Sequence, residues 1–73
     1  RFEMGAGGPA RVTIYDVGGR VVRDLWTGDL AAGTHTLVWN GKDDAGRQAA
    51  SGVYAARVTA NAAVLTRKVV LVE

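Results

Sequence analysis

Apolar and polar residues alternate one for one through much of this chain, and glycines interrupt the alternation at short intervals. From Ala10 to Tyr15, Ala10, Val12 and Ile14 fall on one side, with Arg11, Thr13 and Tyr15 on the other. A period of two is the mark of a strand with one face buried. The pattern returns in Thr34–Asn40, where His35, Leu37 and Trp39 share a face, and in Val53–Ala60, where Tyr54, Ala56, Val58 and Ala60 do. Phe2 and Met4 alternate with Arg1 and Glu3 as a short first strand. Val64–Val72 reads as a last strand, apolar on both faces near its end. Arg20–Thr27 alternates imperfectly, and a β-bulge there lets Val22 and Leu25 both point inward. No stretch holds a helical period of about 3.6 residues for long enough to make a helix.

Between these strands lie turn signals. Gly5-Ala6-Gly7-Gly8-Pro9 holds regular structure poorly, because glycine is costly to order and proline lacks a donor. Asp16-Val17-Gly18-Gly19 suits a tight hairpin. Gly28–Gly33 reads as a second turn region, residues 41–52 as the longest and most polar connection, and Asn61-Ala62-Ala63 as a final turn. Turn signals spaced about ten residues apart favour two small sheets packed face to face. The expected fold class is all-β, a small immunoglobulin-like β-sandwich of about six to seven antiparallel strands. At 73 residues the chain makes one domain, 1–73. A domain this small buries about 60% of the surface its unfolded chain exposes, so the core is thin. With no cysteine, neither a disulfide nor a thiolate metal site braces it.

Charge argues against nucleic acid. The net charge of +2 arises from nine basic and seven acidic residues whose signs are interspersed, with no basic block to track phosphates. No apolar run approaches the roughly 20 residues of a membrane-spanning helix. Catalytic groups are equally sparse. His35, Asp43 and Ser51 could be drawn into a triad, but no nucleophile elbow orders them, and His35 reads as an imidazole packed beside Leu37 and Trp39. One histidine alone makes no zinc site. Asn40, Asp43 and Asp44 carry oxygens at the close spacing that calcium uses. They lack the EF-hand pattern, and turn bonding to backbone N–H groups is their expected work. The reading is therefore no enzyme, no cofactor and no metal, with Asn40, Asp43 and Asp44 as the weak metal candidates. Trp26 and Trp39 raise a sugar-stacking platform as a further option. Trp39 reads as core, so an exposed Trp26 would have to carry that option.

The motifs Val12-Thr13-Ile14-Tyr15-Asp16, Gly19-Arg20-Val21-Val22-Arg23, Gly33-Thr34-His35, Trp39-Asn40-Gly41, Asp43-Asp44-Ala45-Gly46, Ser51-Gly52-Val53-Tyr54 and Arg67-Lys68-Val69-Val70-Leu71 stand in a characteristic order. In that order the chain resembles the immunoglobulin-like domain of the flagellar hook-capping protein. It also resembles the related type A C-terminal sorting domains of type IX secretion. Both branches imply a β-sandwich that is not enzymatic.

The Ser-Gly-Val-Tyr form and the basic last strand resemble the sorting branch more closely. That resemblance implies a C-terminal sorting or attachment module of a longer secreted bacterial protein. Its partners would be the outer-membrane export machinery and an upstream cargo domain of the same chain. Its location would be secreted or at the cell surface, reached via the periplasm. The implied recognition residues are Gly52, Tyr54, Lys68, Val69, Val70, Leu71 and Val72. The alternatives are a structural assembly module, as in the hook cap, and an accessory carbohydrate-binding module.

Overall fold

The computed structural model describes residues 2–60 and 63–72. The turn expected at Asn61-Ala62, and the end residues Arg1 and Glu73, lie outside the described residues. Among the described residues every regular element is a strand: β1 (Phe2–Met4), β2 (Gly8–Tyr15), β3 (Val21–Leu30), β4 (Gly33–His35), β5 (Gly52–Ala60) and β6 (Ala63–Leu71). They form an antiparallel four-stranded sheet in the order β3-β2-β5-β6 and a two-stranded sheet of β1 with β4.

The alternation of β2 and β5 is realised in the register. Ala10 stands opposite Ala60, Val12 opposite Val58 and Ile14 opposite Ala56, so the small and branched side chains of both strands share one face. Leu65 of β6 joins that face opposite Val58. Met4, from the two-stranded sheet, packs with Ala10, Val12 and Val58, and Leu25, Leu30, Leu37, Ala60 and Leu65 close around them. Ile14, on the same face, is 1% exposed. Burying such a side chain is worth about 1.5–3 kcal/mol. On the opposite face Arg57 pairs with Thr13 and lays its guanidinium over the Tyr15 ring, 4.7 Å from its centre. Thr13 is buried despite facing away from the core.

The expected irregularity of the third segment is present. Register shifts fall between Val12/Thr13 and Ile14/Tyr15, and the β3 residues left without a partner are Leu25 and Val22. Each extra residue restores one apolar side chain to the sheet's inner side.

Three boundaries differ from the alternation pattern. β4 ends at His35, whereas alternation runs on to Asn40. In residues 36–40 Leu37 and Trp39 are half-buried while Thr36, Val38 and Asn40 are exposed, but the segment joins no ladder. Burial alone imposes a period of two, so alternation does not reveal pairing. β3 runs through Gly28 and Asp29 to Leu30, and β2 begins at Gly8, because Gly8, Pro9 and Ala10 pair with Leu30, Asp29 and Gly28. Pro9 stands opposite Asp29 near the start of β2, one of the strand positions that proline tolerates.

Candidate functional site

The connection from Asn40 to Ser51 is built by its own side chains. Asn40 Oδ1 accepts the N–H of Lys42 at 3.0 Å, and Asp43 Oδ1 accepts the N–H groups of Ala45 and Arg47, each at 2.9 Å. Asp43 also donates its N–H to the Arg47 carbonyl at 2.8 Å, and Gly46 donates to the Asp43 carbonyl at 3.0 Å. Gly41 has φ +80°, and a Cβ there would stand 2.9 Å from Gln48 Nε2 and 3.1 Å from Leu71 Cδ1. Glycine lets this turn sit directly on the end of β6.

Other bonds hold the loop to the sheet. Asp44 donates its N–H to the Val22 carbonyl at 3.1 Å and accepts the Asp24 N–H on Oδ1 at 3.0 Å. Arg23 Nη1 donates to the Asp43 carbonyl at 3.2 Å. Trp39 Nε1 donates to the Lys42 carbonyl at 2.9 Å, while its ring meets Tyr54 edge-on, with centroids 5.0 Å apart. Trp39 is half-buried rather than part of the central cluster, because its indole spans from the sheet to the loop. Tyr54 is buried at the start of β5, and its hydroxyl donates to the Ala50 carbonyl four residues upstream. A tyrosine hydroxyl returned to the backbone just before its own strand is the corner arrangement of immunoglobulin-like folds.

The oxygens suggested for calcium are thus engaged with backbone N–H groups. Among the described residues no group of three or more His, Cys, Asp or Glu side chains could hold a metal ion. His35 Nε2 lies 2.7 Å from the Ala31 carbonyl, and Asp43 Oδ1 accepts two backbone N–H groups of its own turn, so these bonds serve local structure. Trp26 is 37% exposed, with its indole N–H 3.4 Å from the Gly28 carbonyl and its ring lying along that glycine.

The residues implied for recognition fall into distinct settings. Gly52 is exposed where β5 begins, and Tyr54 lies beneath the surface. Lys68, Val70 and Val72 are exposed, while Val69 and Leu71 are half-buried. β6 closes the sheet at one edge. Beside it a groove of about 520 Å³ opens between the sheet's inner face and the extended segment that follows β4. Leu37 and Trp39 line one wall, and Val12, Val58 and Val69 the other, with Arg67 and Lys68 also on its lining. Arg67 was missed in the sequence. It shares the inner face because it stands opposite Ala56, two residues after Leu65 and two before Val69, and the alternation of β6 carries that signal.

Comparison with known proteins supplies the family. Residues 5–63 match the model of the FlgD Ig-like domain. The chain is 47% identical over 49 residues to the basal-body rod modification protein FlgD of Salmonella typhimurium, an overlap of 67% of this chain and 21% of that protein. The same figures hold for the protein of that name from Salmonella typhi. The chain therefore spans about a fifth of the length of these relatives. No solved structure matches the chain. The expectation of a secreted or cell-surface location, reached via the periplasm, is overturned, because the matching proteins are named for modification of the basal-body rod and not as exported surface cargo. With most of its length matched by that domain model, the chain belongs to the FlgD Ig-like domain family.

Proposed function

We propose that this chain is a non-catalytic immunoglobulin-like β-sandwich that serves as a structural assembly module of the flagellar hook-cap type. The observation that carries the reading is the family match across residues 5–63, joined by 47% identity to FlgD over 49 residues. The sandwich is supported by Met4, which brings the two-stranded sheet into the apolar cluster of the larger one, and by the Tyr54 corner. A loop whose Asn40 and Asp43 side chains bond its own backbone, and whose Asp44 bonds β3, suits a rigid part better than a reactive one. The family favours assembly over the sorting role. Trp26 is exposed, as the glycan-binding alternative requires, but the family match favours assembly over that role too.

The test is a chimera in which this chain replaces the matching segment of Salmonella FlgD. The expected result is hook formation and motility above a strain whose FlgD lacks that segment. A chimera that accumulates normally, resists limited proteolysis and still builds no hooks would overturn the assembly reading.

A further inference from the structure

The two edges of the four-stranded sheet are finished differently. On β3, Asp44 occupies the middle of the edge through the Val22 carbonyl and the Asp24 N–H. β6 pairs with β5 from Ala63 to Leu71, and among the described residues no strand lies on its outer side. At its centre stand Arg67, in register with Ala56, and Lys68, in register with Ala55, so the two cations project from opposite faces. Both are exposed, and among the described residues neither has a carboxylate partner. On the Arg67 face the groove of about 520 Å³ runs beside Val69. On the Lys68 face Val70 is 58% exposed and Val72 80%.

We propose that the β6 edge and the groove beside it accept an extended acidic segment of another polypeptide, which pairs with β6 as a further strand. Backbone bonds along the edge supply affinity, and alternate side chains supply selectivity. Consecutive residues of an added strand point to opposite faces, so two adjacent carboxylates meet Arg67 on one side and Lys68 on the other. A branched apolar residue two positions away on the inner side enters the groove against Val69, Leu37 and Trp39. A second copy of this chain does not suit the site. Two β6 edges centred on each other set cation against cation, and the β3 edge of another copy is already held by Asp44. The site stands on the edge, the groove and the charges, so a chimera that builds no hooks leaves it untouched.

The experiment follows the backbone amides of the intact chain by NMR during titration with a synthetic peptide of about eight residues, Thr-Val-Val-Asp-Glu-Val-Val-Thr, matched to strand length. A second peptide carries Lys-Lys in place of Asp-Glu. Expected are saturable shifts confined to β6 and residues 37–39. Affinity should fall with added salt and be at least about tenfold weaker for the basic peptide. The double variant Arg67→Glu/Lys68→Glu should reverse that preference, which a loss of folding cannot imitate. Equal affinity for both peptides, shifts centred elsewhere, or no saturation by about 1 mM would overturn the site. Shifts of β6 amides with protein concentration alone would overturn it as well, by assigning the edge to a second copy.

Discussion

Tyr54 shows how one side chain joins the loop to the sheet. Its ring is buried against Trp39, while its hydroxyl bonds a carbonyl in the loop the strand has just left. Removing only the oxygen, Tyr54→Phe, leaves the Ala50 carbonyl without this donor and should cost about 1–3 kcal/mol in urea unfolding. A loss near zero would mean that water replaces the bond freely. Trp39→Ala removes the edge-on ring contact and the donor to Lys42. Full burial would set that cost at about 3–5 kcal/mol, but the half-buried indole of Trp39 should give about 2–3 kcal/mol. Gly41 is constrained twice, by φ +80° and by the Leu71 and Gln48 side chains where a Cβ would stand. Gly41→Ala should therefore destabilise by about 1–3 kcal/mol, read by the same unfolding assay, and should loosen the end of β6. The Tyr54 and Trp39 rings touch each other, so those two costs should not sum.

Among the elements, β3 shows how an edge is protected locally. Asp44→Ala keeps the backbone bond to Val22 and deletes the acceptor of the Asp24 N–H. The expected result is a loss of about 1 kcal/mol and faster hydrogen exchange at the Asp24 amide, with the β5 amides unaffected. Unchanged exchange at Asp24 would mean the clamp does not hold in solution. The clamp joins residues 20 positions apart, and nothing in the local pattern of Arg23-Asp24 or Asp43-Asp44 announces it. The alternation of β2 and β5 and the extra residues Val22 and Leu25 were legible, because each follows from which side chains must avoid water. Pairing was less legible. Residues 36–40 alternate as a strand does, yet only burial drives them. Pro9 looks like a breaker by residue type, yet it pairs with Asp29 at the start of β2. The turn role of Asn40 and Asp43 was legible from residue type, whereas Asp44, read as a turn residue too, bonds β3 instead. The placement of Arg67 beside the groove emerged only with the β5–β6 register.

Over the whole molecule the question is whether so thin a core unfolds as one unit. The radius of gyration, 12.3 Å, exceeds the roughly 11 Å typical of this length, and the long axis reaches 35 Å against 19 and 18 Å. Such a shape has little interior, and a total stability of about 4–11 kcal/mol is expected for 73 residues. Asn40 Oδ1, Asp43 Oδ1 and Asp44 Oδ1, the oxygens considered for calcium, already accept backbone N–H groups. The melting temperature should therefore be the same in chelator and in millimolar calcium, and a calcium-dependent rise would show an unrecognised ion. Cooperativity hangs on the small sheet. Met4 is 5% exposed and packs with Ala10, Val12 and Val58, so β1 cannot leave without opening a cavity beneath the larger sheet. The two tryptophans make this measurable, since Trp26 belongs to β3 and Trp39 to the connection after β4. In Trp26→Phe the fluorescence reports the connection, and in Trp39→Phe it reports the four-stranded sheet. Each variant should give a fluorescence transition in urea that coincides with its own far-ultraviolet circular dichroism, as a two-state unit requires. If the Trp39 signal moved first, the β1–β4 side would be a separately melting flap, and the apolar cluster around Met4 would not hold the two sheets together.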